Sequence, residues 1–442
     1  MTSTMRRLAG GPATLLVLAS WGTAQEFPLR ETHPEGTQYH VSNRVELSGT
    51  LTLPADMGQQ GNKTVPLHGS SAIEYDERIL ALTAEGKPRK TARIYRRIDF
   101  ERKIDGQAQK SSLRAEVRRL VVLRHGQTEV AFSPDGAMTW GELDLVRTDV
   151  FTPALSGLLP APAVRPGADW PAATAAVQEL TDLDRIEEGN VTCRLEQVTT
   201  LGGRRYARIT LAGTVRGVNE DGPNKQMLDG YFFFDLESNH ISYLYLNGVH
   251  VLLDKDGKET GRLEGRFVLT RQVNVRCPDL EDAALRGVAL EPNDDNTLML
   301  YEHPDLGVRL THPRRWRIGS VGGRQITLDE SRGSGLLITL EPLQRVPGGV
   351  QFLAEAKGFL EKQKAKIFAT EMPKPVPSAP PGLERFALDV EINGVRQRLE
   401  YYIVKQEKGG AILAARLLPA DQDQLRQDVE RIARGLRITK GP

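Results

Sequence analysis

The sequence predicts a mainly β protein with α+β character: an N-terminal antiparallel curved sheet or half-barrel with one short helix, then a C-terminal antiparallel sheet flanked by two helices. Three observations predict it. Polar and apolar residues alternate with period two from about Tyr39 to Val275, as half-exposed strands do. Turn signals of the hairpin type separate those runs. Beyond about residue 298 the pattern shifts to short strands mixed with two amphipathic helical stretches. A chain of 442 residues is too long for one ordinary core and suits two domains plus a leader. Hydrophobic residues at 39% and charged residues at 26% give a globular balance, neither disordered nor membrane-like.

The N-terminal strands read as HVSNRVELSGTLTLP, RIYRRIDFERKI, RLVVLRHG and RRYARITLAGTVRGV, followed by the meander YFFFDL, ISYLYLNGVHVLLD and GRLEGRFVLTRQV. Turns are expected at Ser133–Gly136, Leu201–Arg204, Glu237–His240 and Lys255–Lys258, where Gly, Asn and Asp favour tight reversal. About ten such strands curl into a half-barrel or barrel rather than lie flat. A Pro-rich loop, LLPAPAVRPGADWP, interrupts them, and AATAAVQELTDLD after it reads as the one helix. Phe232 and Phe234 share one strand face while Tyr231 and Phe233 share the other, and the YLYL run Tyr243–Leu246 adds further aromatics. Both faces are therefore covered, or a curved sheet encloses an apolar cavity. A long curved sheet with a helix in its mouth resembles the layout of periplasmic lipoprotein and lipid carriers, which implies an apolar ligand. SPDGAMTWGELDL with LLPAPAVRPGADW also resembles a stretch recurring in secreted bacterial proteins and implies no activity.

Export is expected from the first 24 residues. Arg6 and Arg7 precede the apolar stretch ATLLVLASW, and Gly22-Thr23-Ala24 supplies small residues for cleavage after Ala24. That stretch falls far short of the ~20 residues a membrane-spanning helix needs. The boundaries expected are 1–24 for the signal peptide, 25–288 for the β domain, 289–297 for a polar linker and 298–442 for the second domain. Lys and Arg total 58 against 57 Asp and Glu, so the basic surplus on which nucleic-acid binding depends is missing. No other apolar run is long enough for a membrane span. Cys193 and Cys277 either pair in an oxidising compartment or stay as separate buried thiols. Asn62 and Asn190 begin glycosylation sequons that matter only in a glycosylating host.

In the second domain, LMLYEHPDLGVRLTHPRRWRI reads as strand, turn and strand. Helices are expected over GGVQFLAEAKGFLEKQKAKI and ADQDQLRQDVERIARGLRI. In the latter, Leu425, Val429, Ile432, Ala433 and Leu436 fall on one face. From GVRLTHPRRW at Gly307–Trp316 to the terminal GLRI, residues 298 to 439 resemble the PsbP/DcrB-like family. That resemblance implies an antiparallel sheet flanked by helices and a role in contacts rather than chemistry.

One motif resembles a catalytic signature. LVVLRHGQTEV, with Arg124, His125, Gly126, Gln127 and Thr128, is similar to the histidine phosphatase family. The resemblance implies His125 as phosphoryl-accepting nucleophile and Arg124 as a bidentate phosphate clamp. The context departs from the family at three points. A turn and strand follow instead of a helix, Ala131 stands where Asn is usual, and neither His240 nor His250 occupies a strand end suited to a second catalytic histidine. A hairpin turning at Gly126, with Val121, Leu123 and His125 on one strand face, accounts for the residues without catalysis.

Asp254–Glu259 carries carboxylates like a calcium loop but joins two strands. Asp294 and Asp295 lie in the linker. His303 and His312 flank one short hairpin without a third ligand. Gly333-Ser334-Gly335 reads as a turn rather than a nucleophile elbow. Trp140, Trp170 and Trp316 read as packing residues. The expectation is a periplasmic or secreted, non-enzymatic protein with a binding or assembly-support role, no cofactor, and no catalytic or metal residue. Its partner is an unknown protein or an apolar small molecule. A lipid carrier and, more remotely, a phosphatase centred on His125 are the alternatives.

Overall fold

The computed structural model describes residues 25–32, 34–54, 62–125, 128–379 and 381–441. The expected leader, residues 1–24, lies outside the described residues. Strands β1 (Gln38–Pro54), β2 (Asn62–Leu82), β3 (Pro88–Ile104), β4 (Gln107–Ser112), β5 (Arg119–His125), β6 (Thr128–Phe132), β7 (Asp169–Pro171), β8 (Arg185–Leu201), β9 (Arg204–Asn219), β10 (Gly222–Asp235), β11 (His240–Leu253) and β12 (Glu259–Val273) form one sheet of twelve. Its order is β6-β5-β3-β2-β1-β12-β11-β10-β9-β8-β7, with β4 beside β3. Every strand pairing is antiparallel. The sheet stays open, ending at β6 and β7. The first long strand pairs with the last, Tyr39↔Val273 through Leu51↔Gly261, so the meander returns to its own beginning.

The period-two pattern maps directly onto two faces. Tyr39, Val41, Asn43, Val45 and Leu47 point to the inner face, and Arg44, Glu46 and Ser48 to the outer. Strands of 14 to 21 residues in β1–β3 and β8–β12 exceed the usual 5–6 or so and must coil. Glycines permit the close approach this needs. A Cβ on Gly49 would lie 2.0 Å from the Arg262 carbonyl oxygen, and one on Gly213 would lie 2.2 Å from that of Asn190.

A helical segment covers part of the inner face: α1 (Trp140–Arg147), a 3-10 stretch over Thr152–Leu158, and α2 (Thr174–Thr181). Leu143, Val146, Leu155, Leu158 and Val177 pack there against Tyr75, Leu195, Phe232, Phe234 and Leu244 in one core. The sequence expects a strand after Ser133–Gly136; the chain forms α1 instead. A capping box decides it. The Glu142 amide donates to Thr139 Oγ1 at 3.2 Å, and the Thr139 amide donates to Glu142 Oε2 at 2.8 Å. The turns expected at 201–204, 237–240 and 255–258 join β8 to β9, β10 to β11 and β11 to β12. A short helix, α3 (Asp282–Leu285), follows the sheet.

The remaining strands are β13 (Met299–His303), β14 (Val308–His312), β15 (Trp316–Gly322), β16 (Gln325–Glu330) and β17 (Gly335–Glu341), then, after helix α4 (Gly349–Lys362), β18 (Lys366–Pro375), β19 (Leu383–Ile392), β20 (Val395–Gln406) and β21 (Gly409–Leu417). Helix α5 (Gln422–Gly435) and β22 (Arg437–Ile438) close the chain. Seven strands form an antiparallel sheet, β15-β16-β17-β21-β20-β19-β18, and β13-β14-β22 form a small one. Leu353, Ala356 and Leu360 of α4 pack with Phe386, Leu388 and Ile403. Leu425, Val429, Ile432, Ala433 and Leu436 pack with Trp316, Tyr402 and Leu413. Adjacent Tyr402 and Ile403 enter different cores, so the two helices cover opposite faces. Between the units, the Leu300 amide donates to Met138 O at 2.7 Å, and Arg314 donates to the Ala131 carbonyl at 2.5 Å. Among the described residues, no helix is long and apolar enough to cross a membrane.

Adding a Cβ at Gly49 or Gly213 is expected to cost about 1–3 kcal/mol through overpacking. Gly49→Ala and Gly213→Ala should each lower the urea unfolding midpoint, and a midpoint equal to wild type would contradict this source of curvature.

Candidate ligand site

The helical segment covers the inner face only in part, and a cavity of about 250 Å³ opens beyond its edge. Its floor is the facing pair Gly248↔Gly265 on β11 and β12. Neither glycine is forced by backbone crowding: a Cβ on Gly248 meets nothing nearer than Leu228 Cδ2 at 3.6 Å, and one on Gly265 meets Glu46 O at 3.4 Å. Two side chains are simply missing from an otherwise filled surface. Leu47, Leu228, Leu246, Leu263 and Phe267 surround the floor, and Val150 and Leu180 of the helical segment form the roof. A few polar groups join them, as in small-molecule sites. His250 projects from β11, and burial pushes its pKa down, opposed by Asp221. Among the described residues, its buried Nε2 has no hydrogen-bond partner. Two larger hollows, about 620 and 690 Å³, lie on the outer face. Charged side chains such as Arg44, Glu46, Arg97, Asp99 and Lys110 line them, which marks them as polar surface grooves.

A buried ionic cluster fixes the helical segment in place. Arg93 of β3 donates from Nε to Glu77 Oε1 and from Nη1 to Asp149 Oδ2, both at 2.9 Å. Asp149, just after α1, also accepts from Asn43 Nδ2 at 2.7 Å and from the Tyr95 hydroxyl at 3.1 Å. Thr152 donates to the other Glu77 oxygen at 3.2 Å, and the guanidinium lies 4.7 Å over the Tyr75 ring. Arg93, Glu77 and Asp149 are all at least nine-tenths buried. Burial pushes the Asp149 carboxyl up to about 6, opposed by Arg93 and the Asn43 hydrogen bond and reinforced by the neighbouring Glu77 carboxylate.

The strand ending in Arg-His-Gly forms an antiparallel hairpin, with Val121↔Phe132 and His125↔Thr128. Gly126, Gln127 and the His125 side chain lie outside the described residues. Arg124 is fully engaged: it donates to Glu129 at 2.9 Å and to Glu179 at 2.5 and 3.2 Å, with its guanidinium 4.5 Å over the Phe151 ring. His240 is buried against the Arg271 carbonyl at 3.2 Å, and burial, then Arg271, lowers its pKa to about 4. β11, which carries His240 and His250, is five strands from β5 in the sheet.

The other residues singled out fall into structural roles. Asp254 accepts from the amides of Asp256 and Lys258 at 2.9 and 2.8 Å, shaping its own hairpin. Asp294 pairs with Arg431 at 3.4 Å, and Asp295 donates its amide to Asn293. His303 faces Val308 and His312 faces Met299, four ladder steps apart, or roughly 13 Å. Gly333-Ser334-Gly335 turns between β16 and β17, with Ser334 Oγ accepting from the Leu418 amide at 3.1 Å. The indole N–H of Trp170 donates to Leu158 O at 2.8 Å and that of Trp316 to Asp428 at 3.1 Å; Arg317 covers Trp140. Phe232 and Phe234 lie in the core, while Tyr231, Phe233, Tyr243 and Tyr245 form a half-buried aromatic cluster on the outer face. Cys193 and Cys277 are both buried and free; with no bridge between them, the pairing alternative is set aside.

No family profile and no curated protein sequence matches this chain. Solved structures give weak structural resemblances. Cyanobacterial PsbP (CyanoP) from Synechocystis is 11% identical over 37% of this chain and 98% of its own, with a TM-score of 0.25. Lipovitellin, in a structure describing lipid–protein interactions, is 10% identical over 55% of this chain and 26% of its own, with a TM-score of 0.30. DynF from the dynemicin pathway of Micromonospora chersina is 12% identical over 62% and 96%, with a TM-score of 0.15. None of these carries a functional argument.

Gly248, Gly265 and His250 were not marked as a site by the sequence alone. The available signal was a glycine inside each of two adjacent strand patterns, NGVHVLL and LEGRFVL, which marks a close approach by backbone or ligand. For the ionic cluster, the sign of the pH effect follows from Asp149. Its folded pKa lies above the ordinary 3.8, so its stabilising contribution is complete below about pH 4 and is lost as pH rises through about 6. Relative to Asp149→Asn, wild type should gain up to about 3 kcal/mol between pH 7.5 and pH 4. Urea unfolding of both proteins at the two pH values checks this, and parallel profiles would contradict it.

Proposed function

We propose that this chain is a non-catalytic, exported binding protein whose N-terminal sheet holds one short apolar molecule in the pocket over Gly248 and Gly265. The observation carrying this reading is the facing glycine pair, which leaves an apolar hollow where ordinary strand residues would fill the surface. At about 250 Å³ the hollow sits just below the usual span for small-molecule sites, roughly 300–1,000 Å³, and suits a single short chain rather than an enclosed diacyl lipid. Two further observations favour binding over phosphoryl transfer. Arg124 already has its guanidinium bonded to two carboxylates, and the strand carrying Arg124 and His125 pairs antiparallel with Thr128–Phe132. The C-terminal unit, on its PsbP/DcrB-like motifs, enters this reading as a contact module.

Filling the floor tests it. The full chain should bind the uncharged apolar fluorophore N-phenyl-1-naphthylamine with a saturable rise in emission. Gly248→Val should weaken that binding at least tenfold while keeping the urea midpoint near wild type, because its Cβ makes only ordinary van der Waals contact, 3.6 Å from Leu228 Cδ2. Unchanged probe binding in a folded Gly248→Val protein would rule out this pocket.

A further inference from the structure

We propose that the pocket's ligand ends in an uncharged hydrogen-bonding head, a hydroxyl or amide, seated against His250, and that carboxylate-headed chains are disfavoured. This rests on the pocket being a ligand site. Three observations lead to it.

The first is the inventory of polar groups in the lining. Gln226 donates its amide to Thr181 O at 2.6 Å and to Asn224 Oδ1 at 3.2 Å. Thr148 donates its hydroxyl to Leu145 O at 2.7 Å. Glu179 is held by Arg124 and by the Phe151 amide at 2.5 Å. His250 Nε2 remains, buried with no partner, and such an atom loses the full value of a hydrogen bond unless a ligand supplies one. Because burial favours its neutral form, the imidazole meets a head group as one donor or one acceptor, without charge.

The second is that, among the described residues lining the pocket, no cation stands free. Arg124 is held by Glu129 and Glu179, and Arg266 reaches across the outer face to Glu46 at 2.5 Å. A carboxylate entering the pocket would lose its hydration with nothing to replace it.

The third is the sign of the rim. Asp182 lines the pocket at the C-terminal cap of α2, and Glu220, Asp184, Glu179 and Asp221 are the carboxylates that act on it. Among the described residues, Asp182, Asp184, Glu220 and Asp221 form no ion pair. Their combined field opposes an anionic head and leaves a neutral one untouched.

The test uses the full chain at pH 8, with 1-decanol and decanoate competing against N-phenyl-1-naphthylamine. Decanol should displace the probe at least tenfold more effectively than decanoate. Since any apolar hollow prefers an alcohol to an anion, two variants separate the specific terms. His250→Leu should weaken decanol about tenfold more than it weakens the probe, whereas His250→Gln, which keeps a hydrogen-bonding group, should retain most of the decanol affinity. Replacing Asp182 and Glu220 together by Asn and Gln should strengthen decanoate several-fold relative to decanol. Decanoate binding as tightly as decanol, or decanol binding unaltered in His250→Leu, would overturn the assignment while the pocket itself stands. Failure of the probe and of both chains to bind wild type would overturn the pocket as well.

Discussion

One guanidinium shared by two buried carboxylates decides where the layers of the N-terminal unit meet. Arg93 and Glu77 belong to neighbouring strands, Asp149 to the helical segment above them, and all three are removed from water. Replacing such a cluster by well-packed apolar residues is often neutral, but deleting its arginine leaves two buried carboxylates uncompensated and costs several kcal/mol. Its effect is therefore on position more than on total stability. The segment from α1 to α2 settles at one place on the inner face, because anywhere else Asp149 would lose Arg93, Asn43 and Tyr95 together.

The pocket follows from that placement. Apolar packing of Leu143, Leu155, Leu158 and Val177 closes the near part of the face. Past Val150 and Leu180 the cover ends, while the strands run on with inward Leu47, Leu228, Leu246 and Leu263 around two glycines. Apolar surface left open in this way is a standing liability unless something fills it. Glu179 joins the two features, since it lines the pocket while holding Arg124 and the Phe151 amide. The Arg-His-Gly hairpin thus contributes its arginine to the same scaffold.

Much of the fold was legible because alternation with one apolar face specifies both strand and register. Leu425, Val429, Ile432, Ala433 and Leu436 were legible for the parallel reason, a single stripe at helical spacing. The helix at Trp140 was not, because WGELDLVR is too short to show a period and its deciding signal is the Thr139–Glu142 cap. The ionic cluster was hidden for a different reason: in a half-exposed strand, Arg93 and Glu77 look like water-facing residues, and only three-dimensional pairing shows them buried. Gly248 and Gly265 were visible one at a time, but their meaning depends on register, which sets them face to face. The short Arg-His-Gly-Gln-Thr match drew attention on identity alone, and its surroundings carry a different structure.

The central claim is that the hollow left by the helical cover is occupied. Solvent extraction and mass spectrometry of small molecules co-purifying with the full chain tests it most directly, with Gly248→Val as the reference. A short-chain amphiphile present at near one equivalent in wild type, and depleted in the variant, is the result the account predicts. The same trace small molecules in both proteins, far below one equivalent, would contradict it.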